Sequence, residues 1–113
     1  MTGAHDLAAL DALIEELTVD AYGDEEQLVG FLTGAEDALT VPEVATVAGV
    51  EVRIVAVDCG PDARRGLIAV CERDRRRLEL SLADIVFEER SELGQVAAAY
   101  RRWLGCNPYS TLA

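Results

Sequence analysis

Two groups of carboxylates carry most of the chemistry open to this chain. Asp20, Asp24, Glu25 and Glu26 crowd into residues 20–26, and Glu36 with Asp37 follows, with Glu43 just beyond. Hard divalent cations are held by about six to eight oxygens, mostly carboxylates and backbone carbonyls, so acids gathered at a turn are suited to an ion such as calcium. Other chemistries lack their parts. The single histidine is His5, close to the start, and no nucleophile has a base at a recognisable spacing. Neither GxxxxGK[ST] nor GxGxxG occurs, so a phosphate-cradling loop is not indicated. These residues read as a binding protein and not as an enzyme.

The two acidic groups differ in how well ordinary helix physics explains them. Asp24 followed by Gln27 has the spacing of a capping box, and Glu25 and Glu26 would complement the positive N-terminal end of a helix starting there. Glu36 and Asp37 fall in the last turn of the same helix, where each acid opposes the dipole by about 0.3–1 kcal/mol unless a cation compensates. On a straight helix Asp24 and Glu36 are about 18 Å apart, so they imply two separate, partly hydrated sites. The D-x-[DN]-x-[DN]-G loop of an EF-hand is absent, which points to moderate or weak affinity.

Charge is distributed one-sidedly. The 113 residues carry a formal charge of −11; residues 1–52 hold twelve acids and no lysine or arginine, whereas residues 53–113 hold nine acids and all ten arginines. Such a field repels nucleic-acid phosphates and anionic lipid surfaces and attracts cations or basic partners. Arg75, Arg76 and Arg77 stand among Glu72, Asp74 and Glu79 and read as a solvated turn. Cys59, Cys71 and Cys106 make no CxxC pair and read as free thiols. No apolar stretch reaches the roughly 18 residues of a membrane span, and the start has no secretory-signal pattern, so the chain is expected to be cytoplasmic.

Periodicity supplies the elements that position these groups. Leu7, Leu10, Ile14, Leu17 and Ala21 follow a helical stripe, predicting a helix over about 6–20. Leu28, Phe31, Leu32, Ala35 and Leu39 predict a second over 25–39, stopped by Pro42. From Val44 the period becomes two, with strands joined at Ala48-Gly49, a turn at Gly60-Pro61-Asp62, a third strand over 67–71 and a fourth over 78–82. The hairpin between the last two is placed at 72–77, and residues 84–87 close the set. Leu93, Val96, Ala97, Tyr100 and Leu104 predict a third helix ended by Gly105. The predicted fold is α+β: two N-terminal helices, a small SH3-like antiparallel β-barrel or curled sheet of four to five strands, and one C-terminal helix. It forms a single domain over 1–113, with segments 1–5 and 106–113 expected to be loose tails.

The run VDAYGDEEQLVGFLTGAEDAL at 19–39, followed by Val41-Pro42, resembles the CcbP-type family of small acidic bacterial calcium-binding proteins, over roughly residues 10–58. That resemblance implies calcium binding by clustered surface acids, a buffering or sensing role in the cytosol, and no catalysis. On the matching positions the implied calcium ligands are Asp20, Asp24, Glu25, Glu26, Glu36 and Asp37. A different class of reading is a protein-interaction module or accessory subunit, whose acidic face or small β-barrel docks a basic partner without metal.

Overall fold

The computed structural model describes residues 7–60, 66–88 and 90–106. His5, the turn residues Pro61 and Asp62, the N-terminal tail and residues 107–113 lie outside the described residues.

Helix α1 runs Leu7–Leu17 and buries Leu10 fully, with Leu13, Ile14 and Leu17 packed beside it. It stops three residues short of the predicted end, because the chain leaves the helix at Thr18. The Thr18 hydroxyl donates to the Ile14 carbonyl (2.7 Å), and Asp20 takes a left-handed φ of 62° that few residues besides Asn, Asp and Gly tolerate. Helix α2 runs Asp24–Ala38 and turns Leu28, Phe31 and Ala35 into the core. The expected Asp24–Gln27 capping box is not formed. Gly23, in extended backbone, is the cap, and Asp24 is already the first helical residue. The carboxylate that reaches back is that of Glu26, which accepts the Tyr22 N–H at 3.0 Å. Gln27 faces the other way and accepts the indole N–H of Trp103 at 2.8 Å.

Four strands follow as an antiparallel meander in the order β1-β2-β3-β4, comprising Glu43–Val47, Val50–Cys59, Leu67–Arg73 and Arg76–Ser81. Ala48 and Gly49 both have positive φ (51° and 82°), the conformation that a two-residue hairpin turn needs to match strand twist. A bulge at Val55 shifts the β2–β3 register between Ile54 and Ala56, which bends the sheet. Ala45, Val52, Ile54, Val57, Leu67, Ala69 and Cys71 make its buried face.

Two sequence expectations fail here for physical reasons. The broad hairpin loop over 72–77 contracts to the turn residues Asp74 and Arg75, and β3 and β4 stay paired as far as Arg73 opposite Arg76. The charged residues belong to strands because this end of the hairpin extends past the core, where neither face needs apolar groups. The expected closing strand at 84–87 is instead a single 3-10 turn, Leu82–Asp84, followed by one bridge from Val86 to Thr46 of β1. Strands β1 and β4 do not pair, so the sheet is curled but open and no SH3-like barrel closes.

Helix α3, Glu92–Trp103, is capped by Ser91, whose hydroxyl accepts the Gly94 N–H at 2.9 Å. It buries Leu93, Val96 and Ala97 through Tyr100 against the sheet and the other helices. Phe31 of α2 joins Tyr100 and Trp103 in a three-ring cluster, with centroids 5.7 and 5.1 Å from Phe31 and 6.1 Å between Tyr100 and Trp103. Such tilted aromatic pairs add to the area they bury. Asp11 of α1 pairs with Arg102 of α3 at 2.6 Å. One hydrophobic cluster therefore joins the three helices to one face of the sheet. Cys59, opposite Leu67, and Cys71, opposite Ile54, sit at separate rungs of the β2–β3 ladder, and both are free thiols, as is Cys106.

Candidate cation-binding ends of helix α2

Helix α2 carries five of the six acids singled out in the sequence and separates them into two places. At its N-terminal end, Asp24, Glu25 and Glu26 form the exposed first turn, and Asp20 lies in the exposed connection just before it. Asp24 and Glu25 project into solvent, while Glu26 is partly engaged by the Tyr22 N–H. These three acids sit where unpaired helical N–H groups and the dipole already favour negative charge.

The other end is built differently. Glu36 and Asp37 are exposed in the last full turn, and that turn contains no basic residue to offset them. The helix terminates when the Leu39 N–H returns to the Ala35 carbonyl at 3.0 Å. Glu36 projects toward the end of β2, near enough that its charge and that of Asp58 are felt by the Cys59 thiol. Partial burial first, then these two carboxylates, push that thiol above its ordinary pKa. Asp58 accepts the Cys59 N–H at 2.8 Å. Glu43 does not extend the Glu36–Asp37 pair as a free carboxylate, because the Ser91 hydroxyl donates to it.

Glu43 instead belongs to a groove of about 420 Å³ between the end of α2 and the start of α3, shared with Glu88, Arg90 and Glu92. Neither Glu88 nor Glu92 stands out in the sequence. They come from a loop and from the first turn of α3, and only the tertiary fold brings them beside Glu43.

The donor chemistry at both ends of α2 is carboxylate oxygen, the type that calcium takes. The arrangement is not a closed cage. Among the described residues, no three histidine, cysteine, aspartate or glutamate side chains are gathered so as to hold a metal ion by themselves. An ion at either end would draw the rest of its oxygens from water and backbone carbonyls. Among the described residues, no helix is long and apolar enough to cross a membrane.

Neither protein-family models nor curated proteins match the sequence. Solved structures do. The crystal structure of Anabaena CcbP matches with a TM-score of 0.72 at 17% identity, covering 95% of this chain and 99% of that chain. A calcium-binding protein in its calcium-binding form matches with a TM-score of 0.69 at 18% identity, over 93% of this chain and 96% of that one. At these identities the likeness establishes the fold. The resemblance read over residues 10–58 thus extends, as architecture, across nearly the whole chain.

Proposed function

We propose that the chain is a CcbP-type calcium-binding protein, with no catalytic role, that buffers or senses calcium in the cytoplasm. Asp20, Asp24, Glu25 and Glu26 serve one region and Glu36 and Asp37 another. The observation that carries this reading is the Glu36–Asp37 pair, two exposed acids in a final helical turn that contains no basic residue to offset them. The description of one fold neighbour as a calcium-binding protein in its calcium-binding form supports it. Partial neutralisation of a strongly negative N-terminal half would also stabilise the fold by linkage. Binding would be moderate to weak, because each region leaves much of the coordination shell to water.

Calorimetric titration with calcium in about 0.15 M KCl and excess magnesium tests the reading, since screening at that ionic strength suppresses diffuse counterion attraction. Saturable binding is expected at micromolar to sub-millimolar calcium. Joint Glu36→Gln and Asp37→Asn substitution should weaken it while leaving the fold intact. Unchanged affinity in that variant, with a gain in stability alone, would remove these residues from the site. No saturable heat in the wild type would overturn the function.

A further inference from the structure

The arginines at the β3–β4 hairpin sit where strand and turn physics disfavour them. Arg73 and Arg76 are directly opposite each other on the last rung, and like charges so placed destabilise a hairpin. Arg75 has φ 66°, a left-handed conformation in a two-residue turn that glycine would occupy without strain. On the other face, Arg53, Glu72 and Arg77 make a cross-strand row in which Glu72 pairs with Arg77 at 3.2 Å. Arg73 is held by Asp74 and the Glu51 carbonyl. The side chains of Arg53, Arg75 and Arg76 have no hydrogen-bond or ion-pair partner among the described residues. Arg53 and residues 72–77 enclose a cleft of about 420 Å³, with five arginines against two carboxylates, in a chain whose net charge is −11.

We propose that this cleft binds a small anion bearing adjacent phosphate groups. Two phosphates would lie against Arg75 and Arg76 at the turn, whose planar guanidinium groups can each offer paired N–H donors, with Arg53 also bordering the cleft. The bound anion would relieve the Arg73–Arg76 opposition. The strongly negative remainder of the molecule disfavours a membrane or nucleic-acid surface dense in phosphate, so the occupant is a free small molecule. The inference is independent of calcium binding.

The test is calorimetric titration of the full chain with inorganic pyrophosphate in calcium-free buffer at about 0.15 M KCl. Saturable binding is expected, tighter than for orthophosphate or sulfate. Arg76→Gln should weaken it by about tenfold or more. Arg90→Gln makes the same change in net charge outside the cleft and should leave it unaltered. Arg75→Gly should weaken binding while raising the thermal midpoint, a pairing that a purely structural turn residue does not produce. Non-saturating heat, equal loss in the Arg90 variant, or full affinity in both hairpin variants overturns the proposal. Co-sedimentation with vesicles of phosphatidylcholine and phosphatidic acid separates the sources of phosphate. The protein should stay in the supernatant, and pelleting that pyrophosphate does not compete away overturns the small-ligand assignment.

Discussion

The hydroxyl of Tyr100 stands in the space that a side chain at position 66 would fill. It accepts the Leu67 N–H at 3.0 Å, and a Cβ placed on Gly66 would collide with it. This one contact fixes the start of β3 to the C-terminal half of α3, across a separation of thirty-three residues in the chain. Tyr100→Phe leaves a buried N–H without an acceptor and should cost about 1–3 kcal/mol. Gly66→Ala should cost at least as much, since it adds the collision to a positive φ of 63°. Urea unfolding followed by tryptophan fluorescence measures both; a Tyr100→Phe midpoint equal to wild type would show that the bond is dispensable.

Gly30 reverses the usual rule for glycine inside a helix. Replacing an exposed mid-helix glycine by alanine ordinarily gains about 1 kcal/mol, but here the added methyl meets the backbone carbonyl oxygen of Leu17 at the end of α1. Gly30→Ala should therefore destabilise the chain, by roughly 1–3 kcal/mol if the helices separate as an overpacked core does. A thermal midpoint above wild type in circular dichroism would contradict this close approach.

The Asp11–Arg102 pair makes a specific demand on acid stability. The hydrogen bond from Arg102 holds the Asp11 carboxyl below its ordinary pKa. A carboxylate depressed in the folded state contributes stability above its unfolded value of about 3.9 and loses it as pH falls through the folded value. Asp11→Asn should be less stable than wild type at pH 6, and the two should converge in acid as the pH falls through the lowered Asp11 pKa. Denaturation midpoints at a series of pH values check the sign; a gap that persists or widens in acid rules the linkage out.

Cys59 provides a reporter for calcium beside Glu36. With Cys106 replaced by serine, Cys59 is the half-buried thiol left to react, because burial keeps Cys71 fully enclosed and pushes its pKa up to about 11. An ion on Glu36 cancels one of the charges that raise the Cys59 pKa. Calcium should therefore speed iodoacetamide labelling of Cys59 by roughly two- to fivefold. Glu36→Gln should speed it without calcium and abolish the response. Labelling indifferent to calcium in the wild type, under conditions where calorimetry detects binding, would place the ion elsewhere.

Residues that face the core could be read from the sequence, and residues that face nothing could not. Leu10, Ile14 and Leu17, Leu28, Phe31 and Ala35, and Leu93, Val96 and Tyr100 keep a helical period because each helix buries one stripe. Ala48-Gly49 marked the first hairpin because its turn needs unusual backbone angles. Arg73, Arg76 and Arg77 lie in strands beyond the edge of the core, where polar side chains on both faces erase the period of two and imitate a loop. Leu82 begins a short turn whose single buried side chain looks the same as the end of a strand. Barrel closure depended on whether β1 would meet β4, a relation between edges that no local pattern encodes. At the candidate site, the acids of α2 were visible because they adjoin in sequence. Glu43, Glu88 and Glu92 were not seen as a group, since three separate segments supply them.

The bridge between Thr46 and Val86 has a further consequence, for the behaviour of many molecules together. Both backbone groups of Thr46 are engaged by Val86, so an incoming strand cannot continue the ladder across the middle of β1. The opposite margin, β4, which begins with Arg76 and Arg77, pairs with no further strand among the described residues. Fibrillar growth by edge-to-edge stacking requires a molecule that can be extended on both sides. With one margin sealed and the other charged, the folded chain could join at most one neighbour through its sheet, which makes it a chain terminator for cross-β polymerisation.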